Sequence, residues 1–210
     1  MIYTKKDIEK LDTVTKLKLI NSVTGIKPAN LIGTINKEGQ TNLAVFSSIV
    51  HLGSSPALLG FISRPQTTEA GHTYRNIKEN GFYTINHIHP EIVKQAHYTS
   101  GKFDANISEF DRCNLSEEYN NNFKAPFVQE STFKMGMVFK EAIDIKLNGT
   151  VLIIGEIEHL IIPDNALVDD DIDLEITNSV GISGLNSYYS LKKIEKHPYV
   201  RVSEVPNFKL

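Results

Sequence analysis

The chain has 210 residues, 40% hydrophobic and 22% charged, with a formal net charge of −3 and a single cysteine, Cys113. That composition allows a sizeable core within one domain, and the lack of a dense Lys/Arg cluster excludes nucleic acid as the main partner. The lone cysteine excludes an intrachain disulfide and suits a reducing compartment. No run reaches the roughly 18 apolar residues of a membrane span, and the N-terminus lacks a signal peptide's apolar core, so a soluble cytoplasmic protein with no membrane contact is expected.

In chain order, residues 5–20 place Ile8, Leu11, Val14 and Leu17 at spacings of three, which predicts an amphipathic helix or two pieces of one. "ANLIGTIN" (29–36) reads as a strand, "KEGQ" (37–40) as a hairpin turn and "TNLAVFSSIV" (41–50) as the returning strand. "LGSSP" (52–56) reads as a break, and "ALLGFIS" (57–63) as a buried strand. "HTYRNIKEN" (72–80) is helical with Asn80-Gly81 as its stop, and "FYTINHI" (82–88) alternates as a strand. Pro90 suits the first turn of a second helix over 90–101.

Residues 102–127 read as irregular with a short helix at 108–113. The strongest hairpin signal joins 135–147 to 150–162 through Asn148-Gly149. An acidic excursion follows at 163–175, then a closing stretch of Gly and Ser loops. Strands outnumber helices and come in hairpins. That predicts a mainly β fold, an antiparallel barrel with peripheral helices, and not a doubly wound parallel sheet.

Residues 63–73 crowd Ser63, Arg64, Thr67, Thr68, Gly71, His72 and Thr73 ahead of a helix. They form either an ordinary polar loop with a helix cap or a seat for a phosphate. A helix start attracts anions, and the planar guanidinium of Arg64 fits phosphate oxygens. Asn42, Ser47 and Ser48 interrupt an apolar strand, so each is paired, lies on a polar strand face or meets a ligand. The histidines at 51, 87, 89 and 97 have no carboxylates at metal-site spacing, and no metal site is expected. "DDDID" (169–173) lacks the Gly and the late Glu of a calcium loop. No Ser-His-Asp order, GxSxG or P-loop is present, so no catalytic side chain is assigned.

In order and spacing, "TNLAVFSSIVHLGSSPALLGFISRP" and "HTYRNIKENGFYTIN" resemble the flavin reductase-like family, whose fold is the FMN-binding split barrel. Asn42, Ala44, Phe46 and Ser47 match one element of it, Pro56 with Leu58 and Leu59 a second, Ser63 and Arg64 a third, and Thr73, Asn76 and Ile77 a fourth. "ISEFDRCNLS" (107–116) is similar to a further segment, with Asn114 where Gly is usual. The resemblance spans about residues 18–190 and implies one FMN-binding split-barrel domain over 1–210.

The resemblance implies that Ser63, Arg64 and Thr73 hold an FMN phosphate, with Thr67, Thr68 and His72 as additions. It implies that the strand Asn42, Leu43, Ala44, Val45, Phe46, Ser47 and Ser48 lies along the flavin ring. Asn76 braces the loop, and Asn86 either braces it or reaches the cofactor. His72 stands where the family usually has Asp, and a partly protonated ring there could bind the anion. The implied activity is transfer of electrons from NAD(P)H through FMN to a flavin, a metal chelate or another acceptor, in a homodimer. "GLNSYYS" (184–190) lacks the family's Arg-x-Gly-Gly-like element, which leaves open a carrier without an NAD(P)H site.

Overall fold

The computed structural model describes residues 1–66 and 71–208. Two short helices open the chain, α1 (Lys5–Lys10) and α2 (Thr13–Ser22). The apolar spacing is split because Asp12 adopts extended backbone and caps α2, its Oδ1 accepting from the Val14 and Thr15 N–H groups, both at 3.0 Å. Neither helix has a buried residue, and Val14, Leu17 and Ile20 stay exposed.

The strands follow as β1 (Lys27–Pro28), β2 (Asn30–Ile35), β3 (Thr41–Phe46), β4 (Val50–Ser54) and β5 (Ala57–Ser63). Helix α3 (His72–Asn80) leads to β6 (Phe82–His87). A 3-10 turn at Pro90–Ile92 then opens α4 (Val93–Tyr98), so the second predicted helix begins tighter than an α-helix. Helix α5 (Glu109–Arg112) matches the short helix expected at 108–113. A two-residue ladder joins β7 (Glu117–Glu118) to β8 (Phe127–Val128). The long hairpin is β9 (Lys134–Ile145) with β10 (Thr150–Ile161). The acidic excursion folds into β11 (Leu167–Val168) and β12 (Asp171–Ile172).

The closing stretch, read as loops, contains a further hairpin, β13 (Val180–Ser183) and β14 (Ser187–Ser190). Its turn uses Gly184 at φ 61°, and β13 pairs with β1. Four-residue strands separated by Gly and Ser leave little period-two signal to read.

Seven strands form one sheet in the order β3-β2-β6-β9-β10-β5-β4, each pair antiparallel. The two edges, β3 and β4, are consecutive in the chain and joined by residues 47–49. Four Cα steps reach at most about 14 Å, so the sheet must curl until its edges approach. The edges do not pair, and the curled sheet stays open along that seam. The strand expected over 41–50 therefore ends at Phe46, and the expected break at 52–56 is mostly strand β4. At the crossing the Ser48 hydroxyl replaces the ladder: it accepts the Ile62 N–H at 3.0 Å and donates to the Ile62 carbonyl at 3.3 Å.

The interior of the curl packs Ile32, Phe61, Tyr83, Ile85, Met137 and Ile153. A second cluster, with Leu31, Leu43, Ile88, Phe110 and Val128, lies between the sheet's other face and helices α4 and α5. Adjacent residues Leu31 and Ile32 serve opposite faces, as strand alternation requires. Helix α3 lies across β2: Ile77 enters the interior cluster, and Asn76 donates to Thr34 Oγ1 at 3.1 Å. Gly81, at φ 74°, ends that helix by returning its N–H to the Ile77 carbonyl. Among the described residues no helix is long and apolar enough to cross a membrane.

Candidate functional site

A cleft of about 370 Å³ opens beside the seam. One wall is β3 and its exit, with Asn42, Ala44, Val45, Phe46, Ser47 and Ser48. Ile62, Ser63 and Arg64 continue it from the end of β5, and Gly71, His72 and Thr73 from the start of α3. The facing wall is the turn at residues 99–103, carrying Lys102, together with Glu109. Asn21 and Leu185 stand at the rim.

The start of α3 joins the strands through specific contacts. Gln66 Nε2 donates to Ser63 Oγ at 3.0 Å and to the Arg64 carbonyl at 2.7 Å. Gly71 has φ 94°, a backbone conformation that favours glycine, and its Cα faces the Gln66 amide. Asn42 Nδ2 donates to Thr73 Oγ1 at 3.2 Å. A hydroxyl, a guanidinium and a helix N-terminus thus border one corner of the cleft, which suits an anion. His72 is held below the ordinary imidazole range, first by burial and then by Arg75, with Asp104 pulling the other way. Without a ligand those influences favour the neutral ring.

Two predicted residues lie elsewhere. The Leu43 side chain is fully buried against the second cluster, and its N–H donates to Glu109 Oε2 at 2.9 Å. Asn86 is also fully buried. It donates to the Leu31 carbonyl at 3.1 Å and to Thr84 Oγ1 at 2.9 Å, and accepts the Val128 N–H at 3.0 Å. With those bonds made inside the protein, Asn86 braces strands β2, β6 and β8. Thr67 and Thr68 lie outside the described residues.

The wall at 99–103 and Glu109 were not singled out from sequence as site residues. "TSGK" carries small hydroxyls, a glycine and a lysine, but nothing local shows that this turn faces β3. The histidines weighed as metal ligands each have protein partners: His87 with Ser179 Oγ at 3.0 Å, His89 with the Glu130 carbonyl at 2.8 Å, His97 with Tyr188 OH at 3.3 Å and His51 with Ser54 Oγ at 3.3 Å. Among the described residues no cluster of three or more His, Cys, Asp or Glu is placed to hold a metal ion.

The outer edge of β3 gives the cleft its chemistry. At its start Thr41 Oγ1 bonds Ser108 Oγ at 2.7 Å and donates to Glu117 Oε1 at 2.6 Å. Two residues on, Glu109 takes the Leu43 N–H. By the same alternation Val45 turns its N–H and C=O away from β2, and Val45 is among the residues that line the cleft. So α5 and its flanks seal the first half of the edge, and among the described residues none pairs with the backbone of the second half. Burial pushes the Glu109 carboxyl upward, while the Leu43 N–H pulls it back.

Residues 26–174 match the model of the flavin reductase like domain. The chain belongs to the flavin reductase-like family. A candidate flavin reductase with a split barrel domain from Shewanella frigidimarina is 44% identical, with a TM-score of 0.91 over 95% of this chain and 100% of that one. The curled sheet with its open seam agrees with that description. Nitrilotriacetate monooxygenase component B from Bacillus cereus shares the fold at 19% identity, with a TM-score of 0.82 over 94% of this chain and 98% of its own. Flavoredoxin from Desulfovibrio vulgaris shares it at 20% identity, with a TM-score of 0.73 over 95% and 98%. Within this flavin reductase-like protein, the cleft lies beside the open seam of the curled sheet.

Proposed function

We propose that this chain is an FMN-dependent oxidoreductase, one domain over residues 1–210, that takes electrons from NAD(P)H and passes them to a flavin, a metal chelate or another small acceptor. The observation that carries this reading is the edge at Val45, without a strand partner among the described residues, which lines the same cleft as Ser63, Arg64 and Thr73. A flavin mononucleotide presents two such features in one molecule, a flat ring with a polar edge and a phosphate. The residues present fit both.

In this reading Arg64 supplies charge to the phosphate, and Ser63, Thr73 and His72 supply hydrogen bonds. The Val45 backbone and the Ser47 hydroxyl meet the ring's polar edge, while Ala44 keeps the wall low enough for a flat ring to approach. Thr67 and Thr68 remain expected additions to the phosphate site. Leu43 and Asn86 act only by holding the strands. Bound flavin supplies the redox chemistry, and the protein orients it and excludes water. A C2 homodimer accompanies the reading, supported by the exposed apolar row Val14, Leu17 and Ile20 on α2.

The test is the absorbance spectrum of freshly purified protein, followed by mixing with NADH or NADPH without oxygen. A flavin band near ~450 nm that bleaches rapidly supports the reductase. A colourless protein that also fails to take up added FMN overturns the reading. A second reading is an FMN-binding electron carrier with no NAD(P)H site. It is favoured by the β13–β14 turn, which brings only Leu185 to the rim of the cleft and no cation. A bound flavin that neither nucleotide bleaches supports that alternative.

A further inference from the structure

Glu109 is 5% exposed, yet it lines the cleft. A carboxylate so enclosed is ordinarily paired with a cation. Among the described residues none lies within ion-pair distance of it. Its Oε2 accepts the Leu43 N–H, and its own backbone N–H also interacts with the carboxyl; no other side chain among the described residues bonds it, so Oε1 is the atom placed to meet a ligand.

Position along β3 says which part of a ligand that is. On one side of Leu43 lies Asn42, bonded to Thr73 at the anion corner. On the other lies Val45, which lines the cleft. Glu109 therefore stands between the seat for an anion and the seat for a flat polar edge. An anion offers it only repulsion, and a flavin's polar ring edge, with several acceptors and a single N–H, offers it few donors. A chain of hydroxyls bridging the two supplies donors.

We propose that Glu109 is the residue of this cleft that recognises a polyhydroxylated chain, its unshared oxygen accepting from ligand hydroxyls. This deepens the proposed function and rests on it, since in FMN that chain is the ribityl linker. Charge-assisted hydrogen bonds of this kind are about twice as strong as neutral ones, so their loss reads as a clear change in affinity.

The test measures binding of FMN, riboflavin and lumiflavin to the full chain by flavin fluorescence. Riboflavin and lumiflavin share the ring and lack phosphate, and only riboflavin carries the polyol. Glu109→Gln keeps an acceptor for the Leu43 N–H and removes the charge, so the local cap survives. The expected result is FMN and riboflavin about five- to tenfold weaker, with lumiflavin within about twofold of the unaltered protein. Equal weakening of all three ligands, no weakening of riboflavin, or tighter FMN binding overturns the proposal. Glu109→Asp, which withdraws the carboxylate by one methylene, gives the same ranking should the amide variant fail to fold. If the unaltered protein binds no FMN, the proposed function falls and takes this proposal with it. If it binds FMN and both variants are indifferent, only the role of Glu109 is lost.

Discussion

Asn42 Nδ2 donates to Thr73 Oγ1 over 3.2 Å, tying the open edge strand to the first turn of α3. Both residues are buried, at 7% and 6% exposure, so the contact is sheltered from competing water. Because the hydroxyl accepts from Asn42, its own proton is left to point elsewhere, and the cleft lies beside it.

That geometry makes Thr73→Val informative. It removes the donor from the cleft and strands the Asn42 amide, so about 1–2 kcal/mol of stability should be lost along with roughly tenfold in FMN affinity. Arg64→Ala should weaken FMN more, about ten- to a hundredfold, with the melting temperature nearly unchanged, because Arg64 is exposed. Fluorescence titration and thermal melting separate the two effects. Unchanged FMN affinity in both variants removes the anion seat.

His72 gives a pH signature. Burial and Arg75 hold its ring below the usual range, so it is neutral near pH 7. A bound phosphate favours the protonated ring, and FMN binding should therefore take up a proton. The sign follows: wild-type FMN affinity rises relative to His72→Asn as pH falls from about 8 towards 6.5, the unperturbed imidazole value. Riboflavin, without a phosphate, should show no such difference between the two proteins.

His87 controls stability in acid. Its ring stacks on Phe133 at 4.0 Å, and burial lowers its pKa to about 4. The folded state thus binds the proton more weakly than the unfolded chain, whose imidazole titrates near ~6.5. The stabilising contribution is complete above that value and is lost as pH falls through about 4. Urea unfolding should show a loss of up to about 3 kcal/mol across this window, and His87→Asn should flatten that part of the profile.

Gly33 packs β2 beneath the chain at Pro126. A Cβ there would fall against the Pro126 carbonyl and within 2.6 Å of Thr84 Oγ1, and backbone cannot move aside cheaply. Gly33→Ala should cost about 2 kcal/mol or more and lower the melting midpoint, whereas Gly39→Ala, at φ 85° in an open turn, should suffer only from backbone strain. Denaturant midpoints of the two variants compare crowding with strain directly.

The hairpin turn after β2 was legible because it is local. Asn36 Oδ1 accepts the Glu38 and Gln40 N–H groups at 3.0 and 2.8 Å, all within five residues, and Gly39 takes the positive φ. Helix α3 was legible from His72 to Asn80 for the same reason, its stop residue being adjacent. The anion corner was legible as a cluster of residue types, since Ser63, Arg64, His72 and Thr73 are close in sequence. Asn86 stayed open between bracing and ligand contact because a polar residue in an apolar strand looks the same in either role; its bonds to Val128 and Leu31 show the bracing role. Glu109 was missed because its partner, Leu43, is far away in the chain.

From sequence alone come the β2–β3 and β9–β10 hairpins, the start and stop of α3, and the polar loop after β5, because turn chemistry and side-chain alternation act between near neighbours. The tertiary structure decided where the sheet opens. Pairing of β10 with β5 curls the sheet and brings its two ends to a three-residue crossing, and α5 then covers half of one exposed edge. Which backbone groups stay unpaired depends on contacts between distant segments, and no local pattern of residues encodes them.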